Sequence, residues 1–121
     1  MASCARQGNQ YYDETYALGV ARSRTLRGQY EKAPAPILKT SANSSNPFAG
    51  PGHNSVIEDS DGEFHAIYHA WIRDKHGEID WGRGRAMLRD RITWTADGWP
   101  IVGNAGEPTF SAHSRDCTST L

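Results

Sequence analysis

Apolar residues in this chain alternate with small or polar ones instead of recurring every third or fourth position. Tyr16, Leu18 and Val20 alternate with Ala17, Gly19 and Ala21, a period of two that predicts a half-buried strand. Residues 56–58 and 64–72 predict two further strands, joined as a hairpin by the turn Asp59-Ser60-Asp61-Gly62. Residues 85–95 predict a long strand, Ala96-Asp97-Gly98 reverses the chain, and residues 99–102 return along it. No stretch combines a helical period with caps. Residues 31–54 are rich in Pro, Ser, Asn and Gly and predict loop, interrupted by the extended piece Pro36-Ile37-Leu38-Lys39. Residues 73–84 predict a charged, glycine-bearing loop. The pattern predicts an all-β fold.

Within it, Gly50-Pro51-Gly52-His53-Asn54-Ser55-Val56 places an imidazole between a predicted Gly-Pro-Gly turn and the start of a predicted strand. A histidine held at a strand mouth suits a ligand or metal contact. A turn with an incidental histidine reads equally well from that stretch alone.

Composition narrows the picture modestly. The chain has 121 residues, at most one domain by length, with 37% hydrophobic residues and no apolar run near 18 residues. Thirteen basic and 14 acidic residues leave a formal charge of −1, which gives no electrostatic reason to expect nucleic acid or an anionic membrane. Four tryptophans, five tyrosines and five histidines suit carbohydrate, whose rings stack on aromatic faces, and equally suit an aromatic β core. Cys4 and Cys117 make neither a zinc nor a redox spacing, and the sequence leaves a disulfide between them open. The first residues carry no apolar signal-like stretch. Asn43-Ser44-Ser45 fits the N-glycosylation sequon, which matters only in a secreted chain.

His53-Asn54-Ser55-Val56 after a turn, then Asp61-Gly62-Glu63-Phe64-His65-Ala66-Ile67-Tyr68-His69-Ala70-Trp71, then Trp94-Thr95-Ala96-Asp97-Gly98-Trp99-Pro100 resembles the C-terminal part of glycoside hydrolase family 43. Upstream, Tyr16-Ala17-Leu18-Gly19-Val20-Ala21-Arg22-Ser23, Arg27-Gly28-Gln29-Tyr30-Glu31 and Pro36-Ile37-Leu38 look like the same family, apart from Gln29, where it usually has proline. The resemblance spans roughly residues 10–110. It implies part of a five-bladed β-propeller from an enzyme that cleaves arabinans, xylans and related polysaccharides. Residues 1–110 then form the C-terminal part of the propeller, the last blade plus outer strands of the preceding one, and 111–121 a polar tail. A blade buries its faces only against neighbours, and 121 residues carry well under half of five.

The chemistry implied is inverting hydrolysis of O-glycosidic bonds, with one carboxylic acid and one carboxylate on opposite sides of the bond. In the family these groups lie on blades before the matched segment, so no catalytic residue is assigned. Asp13 and Glu14 read as turn residues, and Glu58, Asp59, Asp61 and Glu63 as a solvated hairpin. The resemblance makes His53 a metal-site residue near a hydrated calcium ion, a cation that prefers oxygen ligands. Asn54 and Ser55 read as hydrogen-bonding residues of the strand start. His65 and His69, four apart on a strand, share one face and read as packed or solvated. Trp71, Trp94 and Trp99 are expected to wedge between blades; Trp81, in a loop, is the candidate for touching sugar. Arg83, Arg85, Arg89 and Arg91 are expected on one solvated face. The resemblance further implies a carbohydrate partner and a secreted parent protein. The alternative is a non-catalytic fragment or carbohydrate-binding remnant lacking the acid and base carboxylates.

Overall fold

A computed structural model describes residues 15–110, together with the backbone of strand 2–5. The strands are β1 (Ala2–Ala5), β2 (Leu18–Arg22), β3 (Glu31–Lys32), β4 (Phe48–Glu58), β5 (Phe64–Ile72), β6 (Arg85–Trp94) and β7 (Pro100–Val102). There is no helix among the described residues. The strands form two antiparallel sheets, β1-β2-β3 and β4-β5-β6-β7. The second is a four-stranded meander in chain order, which is one propeller blade; the first is the piece beside it. The tail 111–121, Cys117, Asp13 and Glu14 lie outside the described residues, as does the side chain of Cys4.

Alternation decides which face of the blade is covered. In β5, Ala66, Tyr68 and Ala70 are buried and pack with Ile92, Trp99 and Val102 against Leu18 and Val20 of β2 and the extended Ile37-Leu38. Leu18 and Leu38 form an isolated bridge, and the Ile37 carbonyl accepts from the Val102 amide at 3.1 Å, so the piece predicted as extended couples the two sheets. The other face carries His65, Ile67, His69 and Trp71, in register with Arg91, Arg89, Met87 and Arg85 of β6. Arg83 falls in the loop before β6, so Arg85, Arg89 and Arg91 alone share the predicted face.

Two pegs tie the assembly. Arg22 lies 3.8 Å over the ring of Trp99, donates to the Asp97 carbonyl at 2.6 Å and pairs with Glu31 at 3.1 Å, holding β2 to the β6–β7 turn. Asp90, only 4% exposed, accepts from the Tyr68 hydroxyl at 2.5 Å, from the Thr109 amide at 3.1 Å and from the Thr109 hydroxyl. Burial, and next the hydrogen bond to Asp90, push the Tyr68 phenol up from its ordinary pKa. Asn46 donates to the Pro108 carbonyl at 2.9 Å and Ser41 to Glu107 at 2.5 Å, so the segment after β7 is fastened along its length.

Four elements differ from the sequence expectation. Gly50-Pro51-Gly52 is no turn ahead of a strand; it lies inside β4, which runs unbroken from Phe48 to Glu58. Its pairing with β5 shifts register twice, between Ala49 and Gly52 and between Gly52 and Ser55. Bulges absorb the residues that would otherwise break a strand, and β4 is an edge strand, where proline's missing N–H is tolerated. His53 therefore sits mid-strand, with a left-handed φ of 51°, and not at a strand mouth. The first two residues of the loop predicted over 31–54 form β3. Trp99 is buried at 8% exposure, as a wedge should be, whereas Trp94 is 54% exposed at the rim of a groove of about 340 Å³ between β2 and the blade.

Candidate active-site blade

The double bulge sets the site. Gly50 takes φ 58° and its amide donates to the Thr40 hydroxyl at 2.8 Å, which fixes the start of the bulge. Gly52 lies against the ring of Tyr16: a Cβ there would stand 2.7 Å from Tyr16 Cδ1. Only a glycine lets that ring close over the strand edge. Gly52 pairs with His69 of β5, and the rings of His53 and His69 lie 6.1 Å apart at 50°. Tyr16 meets His69 edge-on at 6.3 Å. Tyr16, His53 and His69 thus converge from three segments onto one point of the edge strand.

Electrostatics there disfavour added positive charge. Burial first, then Arg85, then His53 hold His69 below the ordinary imidazole pKa. Its Nδ1 is buried without a hydrogen-bond partner. None of the neighbours that shift His69 or stack on His53 is a carboxylate. Among the described residues no group of three or more His, Cys, Asp or Glu is placed to hold a metal ion. Calcium takes about six to eight oxygen ligands, and the side chains meeting at His53 bring imidazoles and a phenol. These residues do not form a calcium site by themselves.

Next to this point the exposed face carries an aromatic cluster. Trp71 is in register with Arg85, whose guanidinium lies 4.2 Å over the Trp71 ring. Trp81 meets Trp71 edge-to-face at 5.1 Å and 62°, and is 57% exposed. The loop holding Trp81 is tightly built. Asp80 Oδ1 accepts from the amides of Gly82 and Arg83, both at 3.0 Å, and the Gly84 amide donates to the Asp80 carbonyl at 2.9 Å. Gly84 closes the turn at φ 70°.

The acidic hairpin does other work. Asp59 Oδ1 accepts from the amides of Asp61 and Glu63 at 3.0 and 2.9 Å, and its Oδ2 meets His65 Nε2 at 2.8 Å. The Glu63 amide, then the His65 side chain, hold Asp59 below the usual carboxylate range. Glu63 pairs with Arg91 at 2.5 Å. Asp59 thus builds the turn, a role beyond the solvated one that the sequence suggests. His65 is consumed by that turn, while His69, on the same face, joins the His53 cluster. Sequence reasoning missed His69, Arg85 and Tyr16 as companions of His53. Their meeting depends on the bulged register, and the only local trace of it is the Gly-Pro-Gly stretch itself.

With this geometry in hand, comparison with known proteins is informative. Residues 2–100 match the sequence model of Glycosyl hydrolases family 43. The chain belongs to this family. It is 34% identical over 88 residues to the non-reducing end alpha-L-arabinofuranosidase BoGH43B of Bacteroides ovatus, covering 72% of this chain and 16% of that protein. The family 43 protein BlXynB of Bacillus licheniformis superposes with a TM-score of 0.70 at 31% identity, over 87% of this chain and 20% of that one. The alpha-L-arabinanase of Cellvibrio cellulosa, in its complex with arabinohexaose, matches with a TM-score of 0.51 at 26% identity, over 73% of this chain and 27% of that one. The chain spans about a fifth of the length of such family 43 proteins. Its all-β architecture is accordingly a partial five-bladed propeller, and the family is one of glycoside hydrolases acting on carbohydrate.

Proposed function

We propose that this chain is the C-terminal part of a longer, secreted enzyme that hydrolyses O-glycosidic bonds in arabinan- or xylan-class polysaccharides with inversion. The observation that carries this reading is the family match over residues 2–100 of a chain that spans only a fifth of its relatives' length. On this reading residues 1–110 belong to the propeller, and the acid and base carboxylates come from blades outside this chain. The chain's own residues shape one wall. Arg85 and the neutral His69 offer hydrogen-bond donors beside His53, and Trp81 offers a face for a sugar ring. If the parent protein holds a calcium ion here, His53 would be this chain's contribution to a site whose oxygen ligands come from elsewhere; no reaction step is assigned to that ion.

The test is hydrolysis by the parent protein, expressed with its own upstream coding sequence, on aryl arabinofuranosides and xylosides, with the anomer of the first product read by NMR. Inverted product supports the reading. Retained configuration removes the inverting mechanism, and no release from either substrate removes the assigned activity. One observation favours a second reading for the isolated chain: among the described residues no carboxylate is among the groups that shift His69 or the rings that meet His53. By itself the chain is then a non-catalytic remnant, and sugar release by the 121-residue chain at enzymatic rates would overturn that.

A further inference from the structure

We infer that Asn43 is an acceptor for an N-linked oligosaccharide in the exported parent protein, a modification site at the end of the blade. This rests on the secreted reading above and deepens it.

Residue identity is the first argument. Among the chain's five asparagines only Asn43 has a hydroxyl residue two places on, Ser45, with no proline between. Asn54-Ser55-Val56 lacks that hydroxyl, and Asn46 is followed by Pro47. The fold then separates the two asparagines of this loop. Asn46 is 3% exposed, donates through Nδ2 to the Pro108 carbonyl at 2.9 Å and accepts at Oδ1 from the Phe48 amide at 3.1 Å. That side chain is spent on structure. Asn43 is exposed, as are Ala42, Ser44 and Ser45 around it.

Conformation is the second. Asn43 Oδ1 accepts from the Ser45 amide at 3.0 Å, and the Asn43 carbonyl accepts from the Asn46 amide at 3.0 Å. The acceptor and its hydroxyl residue are thus closed into one Asx turn, while Asn43 Nδ2 has no hydrogen-bond partner among the described residues. Both bonds are local, so the turn forms without the sheets and a transferase can meet it on a chain still being exported. Transfer joins Nδ2 to the anomeric carbon of a lipid-diphosphate-linked oligosaccharide. The N–C bond forms, the bond from that carbon to the phosphate oxygen breaks, the lipid diphosphate leaves with the electron pair, and Nδ2 gives up one proton. Position is the third argument. The turn lies ahead of β4 and beside the β5–β6 loop: the Arg73 amide donates to the Pro47 carbonyl at 2.8 Å, and a Cβ at Gly77 would stand 3.9 Å from Ser44 Cβ. It caps strand ends and not a sheet face. Blades press together through their sheet faces, so a bulky, solubilising glycan at Asn43 leaves the surfaces that neighbouring blades need.

The test expresses the parent protein in yeast behind a leader of that host and, in parallel, behind its own N-terminal sequence. The peptide containing Asn43 is read by mass spectrometry before and after peptide N-glycanase. Wild type should carry one glycan at Asn43 that this treatment removes, leaving aspartate. Asn43→Gln and Ser45→Ala should each abolish the glycan, and Ser45→Thr should retain it. A secreted, cooperatively melting parent with a bare Asn43 overturns the inference, as does a glycan found there only on chain retained inside the cell. Export by the host leader alone refutes the secreted reading, a result read apart from the occupancy of Asn43. A parent exported and glycosylated but inactive on every glycoside refutes the proposed hydrolysis and leaves the acceptor standing.

Discussion

Removing the Asp90 carboxylate should unfasten the end of the blade. Asp90 is 4% exposed and accepts three hydrogen bonds, one from Tyr68 and two from Thr109. Asp90→Ala leaves a buried phenol and a backbone amide without their acceptor. Each stranded buried group costs about 1–3 kcal/mol, so together with the partial collapse of the segment that Thr109 anchors the loss should be about 3–5 kcal/mol. Tyr68→Phe is milder, because Asp90 keeps both Thr109 donors; it should cost about 1–2 kcal/mol. Tyr68 also gives the lock a pH signature. Its folded pKa is raised, so the folded state holds the proton more tightly than the unfolded chain does. The associated stability is fully present below the ordinary phenol value of about 10 and falls as pH rises above it. Urea denaturation of wild type, Asp90→Ala, Tyr68→Phe and the double variant, at pH 8 and again at pH 10.5, measures both effects. A loss under 1 kcal/mol for Asp90→Ala, or an alkaline decline undiminished in Tyr68→Phe, would refute the reasoning.

Other expectations are more local. Gly52→Ala should push the Tyr16 ring off the strand edge and destabilise by about 1–3 kcal/mol, the range for overpacking; a thermal midpoint equal to wild type would show that the ring has room to yield. Asp59, with its pKa lowered in the folded hairpin, favours folding above the ordinary carboxylate value of about 3.9, and that contribution is lost as pH falls through its lower folded value. Carbon-13 titration of the Asp59 carboxyl should therefore give a midpoint below the ordinary carboxylate value of about 3.9, and a midpoint at or above it would contradict the turn's hydrogen bonding.

What could be read from sequence was what neighbouring residues decide. The Asp59-Ser60-Asp61-Gly62 and Ala96-Asp97-Gly98 turns, the alternation of β5 and the length of β6 are local signals, and each stands where it was expected. The β4 strand escaped because Gly50, Pro51 and Gly52 carry the local signature of a break, while the strand's edge position and its two bulges are long-range facts. That one misreading hid the site's company. Placing His53 mid-strand is what brings it to His69 and Tyr16. The Asp90 lock was invisible for a similar reason: its partners stand 22 and 19 residues away in sequence, and nothing around Asp90 marks it as buried.

The measurement that bears most directly on this account is His53→Ala in the parent enzyme, with turnover, divalent-ion content and melting temperature determined beside wild type. His53 sits on an exposed strand edge with one ring neighbour among the described residues, so its loss should leave the melting temperature nearly unchanged. Turnover should fall by about 10–100-fold, the usual consequence of removing a group that orients a metal or its waters, and retained ion should fall with it. Unchanged turnover and ion content would take His53 out of the site, and a large drop in melting temperature at full activity would make it a structural residue of the bulge.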